Sequence, residues 1–237
     1  RYRYERNSSA LPRVDGRLSL FDCNYCDKCV SVCPNDAIFI YQAWTGPREA
    51  TLLEVRSASF REVGTETLKI EREHQLGVYG DWCNECGNCD TFCPEKGVPY
   101  KDKPVFFGTE ETWRIHEDRD GFVIERAGDR WKLLARLQGR EYALESDLGQ
   151  GQEQGPEIYE VKRAFPGHEG GTEGAVSLRL EAGRPVAVAQ VPEGVYAVSL
   201  RHYHIMRAVL GGVLDRTRIH AVNAPFVGIQ GFTTERT

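Results

Sequence analysis

Apolar and polar residues alternate along much of this chain, a period that predicts strands more often than helices. Ile38 to Trp44 is apolar and aromatic, while Leu53-x-Val55 and Leu68-x-Ile70 alternate with Gly64 punctuating them, so two or three strands are expected here. Phe122 to Glu125, then Ala127-Gly128-Asp129, then Trp131, Leu133, Ala135 and Leu137 read as a β-hairpin. Val176, Leu178 and Leu180, a turn at Gly183, and Val186 with Val188 read as another. Gln150 to Pro156 is polar and glycine-rich, as a linker would be. His202 to Asp215 carries the helical pattern, weakened by Gly211 and Gly212.

The chain has 237 residues, of which 41 % are hydrophobic and 27 % charged, as in ordinary globular proteins. That length builds a core without disulfides. A formal charge of −5 leaves no basic excess to neutralise phosphates, so a nucleic-acid partner is not expected. No apolar run reaches the roughly 18–20 residues of a membrane span. Arg1-Tyr2-Arg3-Tyr4 offers neither an initiator methionine nor the apolar core of a signal peptide, so an incomplete N-terminus and a cytoplasmic location are expected.

The eight cysteines change the picture. They form two runs, Cys23, Cys26, Cys29, Cys33 and Cys83, Cys86, Cys89, Cys93, each ending in proline (Pro34, Pro94). Both read C-x2-C-x2-C-x3-C-P with a constant offset of 60 residues, and asparagine follows the first cysteine each time. Such self-similarity marks a duplicated loop that turns into a short helix. A cubane of iron and sulfide needs a thiolate at each of four corners, and three from one tight loop can reach three irons. Structural zinc prefers paired C-x2-C knuckles, and a disulfide framework needs an oxidising compartment. Neither suits two matched runs ending in Cys-Pro. Aromatic Phe39, Tyr41, Trp44 and Tyr79 are read as packing rather than electron relays. Gly149, Gly151 and Gly155 have the wrong spacing for a dinucleotide loop, and His202-Tyr203-His204 is read as a surface or interface pair rather than a metal site.

From about Leu20 to Pro104 the chain resembles bacterial-type two-cluster ferredoxin modules, matching at all eight cysteines and both prolines. In such modules the fourth cysteine serves the other cluster. The resemblance thus implies two [4Fe–4S] clusters, one on Cys23, Cys26, Cys29 and Cys93, the other on Cys83, Cys86, Cys89 and Cys33. Cys83-Asn84-Glu85-Cys86-Gly87-Asn88-Cys89, Phe92-Cys93-Pro94 and Pro99-Tyr100-Lys101-Asp102-Lys103 also resemble the C-terminal iron–sulfur part of large flavin-containing oxidoreductases. Those are of the selenate reductase type, relatives of the glutamate synthase small subunit. This second resemblance implies a flavin- and NAD(P)H-binding unit as partner, and a molybdenum hydroxylase-type catalytic subunit beyond it. The longer insert and tail of this chain depart from that pattern.

The fold class expected is α+β, a ferredoxin-like two-cluster core with a β-rich insertion and a β-rich C-terminal extension. Its parts are an N-terminal arm (1–19), a two-cluster domain (20–104) with strands inserted at about 38–80, a β-hairpin extension (105–147), and a small β-rich region with one helix (157–237). The function expected is single-electron transfer inside a larger oxidoreductase; the alternatives are a substrate-handling subunit or a scaffold with structural clusters. Charge then suggests which cluster is harder to reduce. Asp22, Asp27, Asp36 and Lys28 leave a net −2 around the first run, whereas Asp81, Glu85, Asp90 and Glu95 leave −4 around the second. The cluster of Cys83, Cys86 and Cys89 is therefore expected to have the lower potential.

Overall fold

The computed structural model describes residues 16–147, 155–164, 174–215 and 218–226. Residues 1–15 of the arm and most of the linker read at 150–156 lie outside these. Strands β1 (Ile38–Gln42), β2 (Gly46–Arg56), β3 (Ser59–Ile70) and β4 (His74–Tyr79) follow the first cysteine run. Then come β5 (Val105–Phe107), β6 (Gly121–Ala127), β7 (Arg130–Leu137) and β8 (Arg140–Ser146). The last four are β9 (Glu157–Ala164), β10 (Gly174–Glu181), β11 (Arg184–Gln190) and β12 (Val195–Ser199). One sheet runs β1-β4-β5-β6-β7-β8-β9-β10-β11, and a smaller one runs β12-β2-β3. The helices are α1 (Lys28–Val32), α2 (Asn88–Phe92), α3 (Pro99–Asp102), α4 (Glu110–Ile115) and α5 (Arg201–Val213). No helix among the described residues is long and apolar enough to cross a membrane.

The alternation on β7 explains how the large sheet is covered. Trp131, Leu133, Ala135 and Leu137 face the main core, together with Leu144, Tyr159 and Leu178 of neighbouring strands. Leu134 points the other way, into a second cluster with Val105, Phe107, Trp113 and Val123, where α4 supplies the cover. Helix α5 contributes Tyr203, Met206, Val209 and Val213 to the main core, which also takes Leu53, Val55 and Leu68 of the small sheet. At Gly212 the helix passes so near β1 that a Cβ would run into the carbonyl oxygen of Gln42.

Several elements differ from the sequence reading. The insert holds four strands, divided between the two sheets. Its long hairpin turns at Ser57, which has a φ of 53°, and Gly64 instead sits within β3 opposite Leu52, where the register shifts. A serine in left-handed backbone leaves no glycine signal to read. The region 105–147 holds β5 and β8 besides the expected hairpin, and β8 follows a tight turn in which Gln138 and Gly139 both have positive φ. Hydrogen-bonded pairing runs through the divisions drawn after 104 and after 147: Val78 pairs with Val105, and Tyr142 with Val161. Strand β12 pairs with β2, joining the C-terminal region to the insert.

His202 and His204 are half-buried, because α5 carries them into partial packing. His202 stacks on Tyr142 with ring centroids 4.6 Å apart, and His220 stacks on Phe39 at 4.3 Å. Burial pushes both imidazoles down to about 4, since a cation there would lose its hydration. Unfolded, both return to the ordinary 6.5, so the unfolded chain binds more protons between those values. Stability should therefore fall as pH drops from about 6.5 towards 4, by on the order of 3 kcal/mol for each histidine. Chemical denaturation across this range should show a shallower loss for a His202→Gln, His220→Gln double variant than for the wild type. Parallel profiles would contradict the assignment.

Candidate iron–sulfur site

The two cysteine loops adopt the same backbone. Tyr25 and Glu85, at matching positions, have φ of 56° and 54°. Asp27 and Gly87, which precede α1 and α2, have φ of 59° and 79°. Each helix lasts five residues and ends on a fourth cysteine in extended backbone, Cys33 or Cys93. The left-handed steps fold the chain tightly around the first three sulfurs, and the extended fourth residue leads out of the loop. Glycine reaches such a conformation freely, while aspartate does so at a modest cost.

That exit determines which sulfurs meet. Cys23, Cys26 and Cys29 line a cavity with Cys93, and Cys83, Cys86 and Cys89 line another with Cys33. All eight cysteines are free of disulfides. Cys29 and Cys89 are buried, and Ile38, Leu76 and Val78 complete an apolar cluster with them. Backbone N–H groups approach the sulfurs: Tyr25 N donates to Cys23 Sγ and Ala37 N to Cys33 Sγ, both at 3.3 Å.

Burial pushes the Cys29 thiol up to about 12, opposed by the charge of Lys103 and reinforced by Cys23, Cys26 and Cys93. Burial also raises Cys83, Cys89 and Cys93. Iron must displace those protons on binding, because the thiolate is the ligand. A soft donor set of four thiols around a cavity suits iron and sulfide. The sulfurs ring a space, and among the described residues no group of three His, Cys, Asp or Glu is placed to hold a single ion.

Strand β4 and the sheet hold the loops in place. The Tyr25 hydroxyl donates to Phe21 O at 2.5 Å and lies 3.0 Å from Gln75 Oε1, while Asp27 meets His74 Nε2 at 2.8 Å. The second loop is tied through Glu85 to Arg119 at 2.5 Å. Arg119 in turn offers its carbonyl to Arg136 Nη1 of β7 at 3.2 Å. The halves are stitched together where Asn35 Nδ2 donates to Trp82 O at 3.0 Å and Asn88 Nδ2 to Val32 O at 3.5 Å. The sequence places Glu95 with the second run and does not set Lys103 apart, yet both are buried and line the cavity of Cys23. Sequence reasoning missed a cleft of about 750 Å³ lined in part by Phe21, Cys23, Tyr25, Arg72, Arg201 and His202.

The family described as "4Fe-4S binding domain" matches residues 20–39, which hold the first cysteine loop, α1 and the start of β1. That match marks the first cysteine loop as part of a 4Fe–4S-binding module. Two curated proteins are similar over a longer stretch, both named "Putative oxidoreductase YgfK", from Escherichia coli strain K12 and from Escherichia coli O157:H7. Each is 31 % identical over 144 residues, which is 60 % of this chain and 11 % of the relative. The chain thus spans about a tenth of the length of the curated relatives it matches. No solved structure matches.

Proposed function

We propose that this chain holds two [4Fe–4S] clusters in a ferredoxin-like core (20–104) and carries single electrons within a larger oxidoreductase. The observation behind this is the pairing of the cavities: the fourth cysteine of each run stands with the first three of the other. When bound, each cluster takes up and releases one electron at a time. Cys23, Cys26, Cys29 and Cys93 would hold one, and Cys83, Cys86, Cys89 and Cys33 the other. Ile38 and Leu76, on neighbouring strands, line one cavity each and keep water from the sulfurs. Helices α1 and α2, stitched together by Asn35 and Asn88, keep the two cavities close, as electron passage between them requires.

The name of the similar curated proteins supports an oxidoreductase setting for the module. The reading takes a flavin- and NAD(P)H-binding unit as electron source and a molybdenum hydroxylase-type subunit as destination, in the cytoplasm. Reconstituted anaerobically with iron and sulfide, the chain should be bleached by dithionite but not by NADH or NADPH. Reduction by either nicotinamide with no other subunit present would overturn that division of labour. The second reading, a substrate-handling subunit, draws on the cleft beside Cys23, whose walls mix aromatic and charged side chains.

A further inference from the structure

We propose that Lys103 is a fixed cation that raises the potential of the cluster of Cys23, Cys26, Cys29 and Cys93. This deepens, and rests on, the two-cluster reading. Carboxylates that neighbour one run along the chain meet a different cavity in space. Glu95 lies two residues beyond Cys93 and follows it into the cavity of Cys23, where Gly16 N donates to its Oε2 at 2.9 Å. Glu85 does line the cavity of Cys83, but Arg119 is bonded to it. Asp27, on the first cavity, is engaged with His74. The excess of negative charge counted around the second run is thus not what its cavity meets.

Lys103 is what distinguishes the two cavities. The lining of the first contains this lysine, and that of the second contains no lysine or arginine. Lys103 is only 2 % exposed and lines the cavity together with Cys23, Cys26, Cys29 and Cys93. A cluster held by four thiolates is anionic, and a lysine in the wall of its cavity would set a positive charge beside it. Glu95 and Asp27 face the same space and offset part of the effect. Lys103 also opposes the rise that burial imposes on the thiols of Cys29 and Cys93. A nearby cation favours the more negative, reduced state, so the potential rises. Lys103 thus offsets the carboxylates of Asp27 and Glu95 at the first cavity, as Arg119 offsets Glu85 at the second.

An EPR-monitored redox titration of the reconstituted full chain tests this, with the Cys23 cluster identified as the signal that survives Cys33→Ser. Lys103→Met should move that midpoint to a more negative potential, changing the ratio of oxidised to reduced cluster about tenfold at fixed potential, or about 59 mV for one electron. Glu95→Gln should move the same midpoint upward, and Lys103→Arg should leave it close to wild type. The Cys83 signal should shift less in all three. Should Lys103→Met fail to take up clusters, Lys103→Gln takes its place and should move the midpoint in the same direction. Two intact signals, neither moved by these changes, would overturn the role of Lys103 and leave the proposed function standing. A wild type that shows no pair of signals would overturn the two-cluster reading itself.

Discussion

Cys33→Ser should damage the cluster of the loop sixty residues away and spare the one whose motif contains it. Cys33 ends α1 in extended backbone, and it lines the cavity of Cys83, Cys86 and Cys89 rather than that of its own run. Serine keeps the shape, but its hydroxyl is a poor ligand for iron beside a thiolate. Iron bound after reconstitution should fall from about eight to about four per chain. The remaining signal should then vanish when Cys29→Ser is added, and persist when Cys89→Ser is added instead. The reverse pattern would mean that each run closes on its own cluster.

Gly211 and Gly212 are adjacent, yet alanine should act on them in opposite directions. Gly212 faces β1, and an added Cβ would meet the Gln42 carbonyl oxygen and come within 3.1 Å of Tyr41 Cδ2. Backbone cannot yield as a flexible side chain can, so α5 would have to lift from a core it shares with both sheets. Gly212→Ala should cost about 3 kcal/mol or more. Gly211 meets nothing within 4 Å, so Gly211→Ala should add about 1 kcal/mol through helix propensity alone. Urea melts of the two variants would measure this. Equal effects at the two positions would contradict the packing described for α5.

The sequence pattern made the glycine pair look like a defect in a helix. The helix nonetheless forms over Arg201–Val213, because burying Tyr203, Met206, Val209 and Val213 outweighs poor propensity. Likewise Val176, Leu178 and Leu180 were legible as strand because their alternation is local. Strand β12 was not, since its burial depends on β2, more than a hundred residues earlier in the chain. Ser57, in left-handed backbone, shows how a turn without glycine escapes notice.

At the site, the cysteine spacing and the duplication were plain, because repeated ligands leave a periodic trace. The charges were not. Glu95 stands beside the second run in sequence but lines the first cavity in space, because the chain leaves the second loop there. Lys103 shows nothing in sequence to set it apart from Lys101, yet it is buried while its neighbour is exposed. Only the path of the chain decides which charge a cavity meets.

The central claim is that one chain holds two clusters side by side. The EPR spectrum of the fully reduced, reconstituted chain tests it most directly. Two reduced clusters kept close by α1 and α2 should integrate to about two spins per chain and show the broadening of spins that interact. One spin per chain with unbroadened lines, from protein carrying a full complement of iron, would contradict it.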